Sequence, residues 1–72
     1  MTNTKLLNEK IAESGLKKGF IADKLGLTTY GLQLKTINRN EFKASEISAL
    51  CDLLNITTAR EKEDIFFAKK VD

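Results

Sequence analysis

The side chains best suited to recognising a partner follow Gly26 and share the outward face of a predicted helix. They are Thr28, Thr29, Tyr30, Gln33 and Leu34. A glutamine amide can pair with adenine, and threonine hydroxyls can reach a phosphate oxygen or a thymine methyl group. A tyrosine beside a leucine one helical turn away is instead the apolar centre that protein interfaces favour. Because the segment lacks the arginine that most often reads guanine, a protein partner is favoured over DNA.

Three basic residues flank this segment in the sequence. Lys17 and Lys18 begin the predicted helix before it, and Arg39 lies in the loop that follows it. The two lysines could contact phosphate or simply be solvated residues at a helix start. Arg39 is expected to contact a partner, because its loop borders the outward face of the third predicted helix. Residues 1–43 carry eight basic and four acidic side chains, and residues 44–72 carry four and six. The basic first part permits binding to phosphates without demanding it.

The composition argues against catalysis and against a metal centre. The chain has no histidine and a single cysteine, Cys51. It therefore lacks the usual general base, the commonest metal ligand and the second thiol that a disulfide requires. Its four glycines are spaced as helix ends, not as a phosphate-binding loop. We expect a protein that is not an enzyme and that binds neither a metal nor a cofactor.

Length and hydropathy predict one small domain, covering residues 1–72. Hydrophobic residues make up 42% of the chain and charged residues 31%, which is typical of globular proteins. The longest strongly apolar run covers residues 65–68, far short of the roughly 20 residues that cross a bilayer. The first residues lack an apolar signal segment. We expect a soluble, cytoplasmic protein without contact to a membrane.

Apolar spacing and turn residues predict five short helices and no strand, an all-α fold. The first four helices end at Ser14-Gly15, at Gly26, in Asn38-Arg39-Asn40 and at Asn55. The fifth is predicted from its ends, where Thr58 and Glu61 form a capping box and Lys69 and Lys70 occupy the last turn. The apolar positions of the first four are Leu6, Leu7, Ile11 and Ala12; Phe20, Ile21, Ala22 and Leu25; Leu27, Leu32 and Ile37; and Ile47, Leu50, Cys51 and Leu54.

The second and third helices, about residues 18–37, are predicted to form a helix-turn-helix. Ala22 is small enough for the two helices to cross closely, and Gly26 can adopt the positive φ that the turn requires. Leu27 and Leu32 are predicted to point inwards and to fix the crossing angle. Thr28 or Thr29 can cap the start of the third helix.

These residues resemble a known family. The stretch Phe20-Ile21-Ala22-Asp23-Lys24-Leu25-Gly26-Leu27, with Gly31-Leu32 and Asn40-Glu41-Phe42, is similar to the small phage regulators of the Cro and CI-repressor type. The resemblance covers about residues 5–56, and it includes the helix from Phe42 to Ile56. Over its whole length the chain looks most like the modulator-of-repression antirepressors of temperate lactococcal phages.

The resemblance implies a compact five-helix, lambda-repressor-like domain that acts in the lysis–lysogeny switch in the host cytoplasm. It implies binding to the N-terminal DNA-binding domain of a CI-type repressor, in competition with the operator. The alternative is a Cro-like repressor that reads operator half-sites with its third helix. The family often has glutamine at the start of the motif, where this chain has Lys17 and Lys18. That difference preserves affinity for phosphate and weighs against base-specific contact.

Several positions have more than one interpretation. Leu34 could pack against the loop of residues 38–42, and Tyr30 could lie flat as surface cover. Cys51 is predicted to be a small buried hydrophobic residue. Of the adjacent Phe66 and Phe67 only one can face the core. The sequence offers no exposed apolar stripe for self-association beyond Tyr30, Leu34 and Phe67.

Overall fold

The computed structural model describes residues 1–69, which form five α-helices and contain no strand. The helices are α1 (Thr4–Ser14), α2 (Lys18–Lys24), α3 (Thr29–Thr36), α4 (Ala44–Leu53) and α5 (Ala59–Phe66). The prediction of an all-α chain with five short helices is confirmed. None of the helices in the described part is long and apolar enough to cross a membrane.

Polar side chains begin three of the helices. Asn3 accepts a hydrogen bond from the Leu6 amide at 3.2 Å, and Thr28 accepts one from the Gly31 amide at 2.9 Å. Thr58 accepts one from the Glu61 amide at 3.1 Å, which is half of the predicted capping box. The Glu61 carboxylate does not return to Thr58, because it forms an ion pair with Lys10 at 2.6 Å that joins α5 to α1.

Four helices are followed by a residue with positive φ, a conformation that glycine and asparagine tolerate best. These residues are Gly15 (φ 72°), Gly26 (φ 73°), Asn38 (φ 67°) and Asn55 (φ 57°), which follow α1, α2, α3 and α4. After each of them the chain turns back, as in the hydrogen bond of 2.8 Å from the Leu27 amide to the Ala22 carbonyl. The predicted helix ends at Ser14-Gly15, at Gly26, near Asn38 and at Asn55 are therefore confirmed.

The end of α5 differs from the prediction. The helix stops at Phe66, so Lys69 lies beyond it and not in its last turn. Lys70 lies outside the described residues. The Ala68 amide donates to the Met1 carbonyl at 3.0 Å, so the chain after α5 bonds to the first residues instead of continuing as a helix.

One hydrophobic core unites the five helices, and most predicted apolar positions belong to it. Cys51 is buried among apolar neighbours, as predicted, and burial raises the pKa of its thiol. Phe66 is buried and meets Phe42 edge to face, with ring centroids 5.7 Å apart, whereas Phe67 is 55% exposed. The core comprises Leu7, Ile11, Ile21, Ala22, Leu32, Ile47, Leu50, Cys51, Leu54, Ile56, Ile65 and Phe66.

Three predicted core positions, Ala12, Phe20 and Ile37, lie at the surface. Ala12 is exposed because Leu7 and Ile11 occupy the inward face of α1. Phe20 is 46% exposed because Ile21 and Ala22 occupy the inward face of α2, which directs Phe20 away from the core. Its ring lies 5.3 Å from the ammonium nitrogen of Lys24, one turn further along the helix. Ile37 is exposed because Thr36, one turn after Leu32, occupies the inward position at the end of α3.

Candidate partner-binding surface

The second and third helices, with the turn between them, cover the residues of the predicted helix-turn-helix. Ala22 is fully packed, and α2 contacts both α3 and α4. A Cβ atom placed on Gly19 would lie 3.8 Å from the hydroxyl oxygen of Thr29, so the first turns of the two helices are adjacent. Leu32 is 2% exposed and Leu27 is half-buried against the core, so Leu32 carries more of the predicted inward packing than Leu27 does.

The outward face of α3 is polar around one aromatic ring. Thr28, Thr29 and Gln33 are exposed, as the sequence predicts. Tyr30 is 72% exposed, the highest fraction among the large hydrophobic side chains of the described residues. The alternative in which Tyr30 lies flat as surface cover does not fit this exposure. We name this face, formed by Thr28, Thr29, Tyr30 and Gln33, the α3 surface.

Leu34 departs from the predicted outward pair with Tyr30, because it is half-buried. Its carbonyl accepts hydrogen bonds from the Arg39 amide at 2.8 Å and the Asn40 amide at 3.2 Å. The chain after α3 thus folds back over the end of the helix, which favours the interpretation that Leu34 packs beside the loop of residues 38–42. Tyr30 is therefore the one large apolar side chain of the α3 surface.

The three predicted basic residues lie at the two ends of α3. Lys17 caps α2 and Lys18 begins it, and both side chains are exposed. Because the neighbouring Gly19 approaches Thr29, these lysines stand near the first turn of α3. Arg39 is exposed just beyond the last turn. Within residues 1–69 none of the three takes part in an ion pair, so each can reach a partner.

An ion pair that the sequence analysis did not find holds α3 to α4. Lys35 reaches Glu46 at 2.5 Å, and both side chains are nearly buried. The Glu46 carboxylate also accepts the Lys43 backbone amide at 2.8 Å, at the start of α4. Burial favours the neutral form of Glu46, but the hydrogen bonds from Lys35 and Lys43 and the charges of both lysines outweigh it and lower the pKa of this carboxyl.

This pair was missed for a physical reason. The two residues are separated by 11 positions and belong to different helices, so no helical spacing relates them. The one available signal was the position of Glu46 three residues after Lys43, where a carboxylate can bond to the first free amide of a helix.

The described surface offers hydroxyls, one amide and one phenol ring on α3, with cations at its rim. No group of three or more acidic or cysteine side chains within residues 1–69 could hold a metal ion.

A groove of about 520 Å³ lies between α4 and α5, lined by Cys51, Asn55, Thr58 and Lys62 among others, and it contains none of the predicted partner-binding residues. Comparison of the chain with protein-family models, with curated proteins and with solved structures gave no match.

Proposed function

We propose that this chain is a regulator of the lysis–lysogeny switch of a temperate phage and acts as an antirepressor. In this proposal the α3 surface binds the N-terminal DNA-binding domain of a CI-type repressor and thereby competes with the operator. The chain acts by binding alone, without catalysis and without a cofactor. The resemblance of residues 5–56 to phage regulators supports the class of protein, and the chemistry of the α3 surface supports the choice of a protein partner.

The observation that carries the proposal is the exposure of Tyr30. A tyrosine combines a large apolar area with a hydroxyl that can still bond at a partly wet interface. Such residues dominate the binding free energy of protein interfaces when polar groups around them exclude water. Tyr30 is 72% exposed and is surrounded on its helix by Thr29 and Gln33, which gives that arrangement.

The charge of α3 argues in the same direction. Specific reading of DNA most often uses arginine or lysine against guanine. The one basic side chain within Thr29–Thr36 is Lys35, and it is bonded to Glu46 away from solvent. The middle of the α3 surface is therefore uncharged, which suits docking against a protein better than reading base edges.

The runner-up function is operator binding in the manner of Cro. It is favoured by the exposed Gln33 amide and by Lys17 and Lys18, which stand near the first turn of α3 where a phosphate would lie. The two functions are compatible in one respect. A complex of the chain with a repressor could still touch DNA through Lys17, Lys18 and Arg39.

A displacement experiment tests the proposed function. The repressor's N-terminal domain is first bound to a fluorescent operator duplex, and the chain is then added at physiological salt. An antirepressor lowers the anisotropy to that of free duplex, and the Tyr30→Ala variant does so only at higher concentration. Anisotropy that stays at the bound value, or that rises because both proteins occupy the duplex, rejects competition with the operator.

A further inference from the structure

The last turn of α3 is tied to the first residues of the chain through Asn38. The Thr2 amide donates to Oδ1 of Asn38 at 2.8 Å, and Nδ2 of Asn38 donates to the Thr2 carbonyl at 2.8 Å. One side-chain amide thus satisfies both backbone groups of a residue 36 positions away. Thr2 is only 5% exposed, so its backbone has little access to water as an alternative partner.

Other bonds hold the same turn. The Thr4 hydroxyl donates to the Thr36 carbonyl at 2.7 Å, and Lys35 bonds to Glu46 at the start of α4. The segment that carries Thr2 is fixed in turn to α5, because the Asn3 amide donates to the Ile65 carbonyl at 2.6 Å. Directional bonds to three other elements therefore converge on the C-terminal end of α3.

The first turn of α3 is held differently. Thr28 caps the helix through a hydrogen bond local to it, and Gly19 of the neighbouring α2 lies beside Thr29. The Leu27 amide, just before the helix, donates to the Ala22 carbonyl of α2 at 2.8 Å. Leu32, in the middle of the helix, packs into the core without a directional bond. The first turn of α3 is accordingly held to α2, and the opposite end is held by directional bonds to the first residues, to α1 and to α4.

We infer that Asn38 is a positioning residue for the α3 surface: its two bonds to Thr2 fix the direction in which Tyr30 and its neighbours are presented to a partner. At 1.5 Å per residue, Tyr30 lies about 12 Å along the helix from Asn38, so a rotation of about 5° at that end moves Tyr30 by about 1 Å. The inferred effect of Asn38 on partner binding rests on the proposed function, whereas its inferred effect on the geometry of α3 does not.

The chain contains a matched control. Asn38 and Asn55 both follow a helix at positive φ, 67° and 57°, and glycine keeps that conformation at either place. Asn38→Gly removes the two bonds to Thr2, whereas Asn55→Gly makes the same chemical change at the end of α4. Asn38→Asp provides a partial rescue, because a carboxylate can accept from the Thr2 amide but cannot donate to its carbonyl.

Two readouts separate positioning from stability. The first is the dissociation constant for the repressor's N-terminal domain, measured at a temperature at which each variant is folded by circular dichroism. The second is the set of backbone amide chemical shifts of residues 29–33, recorded without any partner. A smaller population of the binding-competent orientation weakens the apparent affinity in proportion, and we expect about a five- to tenfold loss for Asn38→Gly.

We expect the resonances of residues 29–33 to move in Asn38→Gly, to move less in Asn38→Asp and to stay in place in Asn55→Gly. Unchanged shifts and unchanged affinity in Asn38→Gly, with only a lower melting temperature, would overturn the inference. If the wild-type chain fails to bind the repressor at all, the proposed function fails. The chemical shifts then decide the role of Asn38 on their own.

Discussion

At the scale of single residues, Tyr30 and Phe67 show that exposure alone does not mark an interface. Both rings are more than half exposed. Tyr30 stands on the third helix among hydroxyl and amide groups, between lysines at one end and Arg39 at the other. Phe67 follows α5 at the opposite end of the sequence, outside the α3 surface. The two therefore form a natural pair of test and control.

Replacing Tyr30 by alanine should weaken binding to the repressor's N-terminal domain by more than about 1 kcal/mol, or about fivefold in Kd. The physical reason is the loss of the large exposed ring at the centre of the α3 surface. Isothermal titration calorimetry measures the change, and circular dichroism should show an unchanged melting curve because the ring contributes little to the core. Equal losses for Tyr30→Ala and Phe67→Ala would contradict the assignment of the interface to α3.

Leu34 was predicted to stand beside Tyr30 as a second exposed contact. Helical spacing placed Leu34 one turn from Tyr30 and took no account of the chain that follows α3. That chain turns back at the positive φ of Asn38, and the amides of Arg39 and Asn40 bond to the Leu34 carbonyl. Thr28, Thr29, Tyr30 and Gln33, by contrast, are exposed as predicted. Tyr30 lies two positions before the buried Leu32, on the opposite side of the helix, and Thr28 and Thr29 stand at the helix start.

At the scale of elements, the turn between α2 and α3 fixes the relation of the two helices. Gly26→Ala should destabilise the chain by about 1–2 kcal/mol, because the residue has φ 73° and an L-amino acid with a side chain is strained there. No atom lies within 4 Å of the added Cβ, so the cost comes from the backbone alone. Urea unfolding followed by circular dichroism measures it.

Gly19→Ala is the matched control for this change. Gly19 lies within α2, and its added Cβ would make only an ordinary contact with Thr29. Alanine should therefore stabilise the chain by about 0.5 kcal/mol through its helix propensity. Similar destabilisation by both substitutions would argue that crowding between the helices, and not the turn, limits stability.

The pair between Lys35 and Glu46 predicts how stability depends on pH. The pKa of Glu46 is lower in the folded chain than its ordinary value of 4.5. The carboxylate therefore contributes its full share of the folding stability above pH 4.5, and this share is lost as the pH falls through the lowered pKa. Glu46→Gln should lower the free energy of unfolding by about 1.5–3 kcal/mol at pH 7. The difference in this free energy between wild type and variant should become smaller toward pH 3.

Urea titrations at both pH values measure this difference. Glu63→Gln serves as the control, because Glu63 is an exposed acid of α5 and its replacement should change the unfolding free energy by no more than about 0.5 kcal/mol. The assigned role of the ion pair would be contradicted if wild type and Glu46→Gln differed in unfolding free energy by the same amount at pH 7 and at pH 3.

The elements themselves were largely predictable, because their signals are local. Apolar spacing located the helices around Leu7, Ile47 and Leu50, and turn residues located their ends. Phe20 was misassigned because Phe20 and Ile21 are adjacent and apolarity alone does not say which one faces the core. The contact of α2 with α3 and α4 selects Ile21 and Ala22, and that selection is a property of the tertiary fold.

At the scale of the whole molecule, the first and last described residues lie side by side and are joined by hydrogen bonds. The Met1 amino group donates to the Ala68 carbonyl at 3.0 Å, and the Thr2 backbone bonds to Asn38. The first contact joins main-chain atoms, whose bonding leaves no trace in residue type. The second joins the Thr2 backbone to the Asn38 side chain 36 positions away, a separation that no local pattern relates. The sequence therefore predicted the helices and the exposed face of α3, but not the anchoring of α3 to the first residues.

The small core makes global stability sensitive to single truncations. Phe66→Ala should cost about 3–5 kcal/mol, because Phe66 is 4% exposed and packs edge to face on Phe42. A chain of this size is expected to have a total stability of only roughly 4–11 kcal/mol. Phe67→Ala, one residue further, should change stability by less than about 0.5 kcal/mol. Equal melting temperatures for the two variants would contradict the described core.

The proposed function requires that the chain bind a repressor in preference to DNA. It is tested most directly by titrating the wild-type chain against the repressor's N-terminal domain and against the duplex of the switch region, each at low and at physiological salt. We predict tight binding to the repressor that changes little with salt, and weak binding to the duplex that falls steeply with salt. Site-specific binding to the duplex without binding to the repressor would contradict the account and identify a Cro-like reader of DNA.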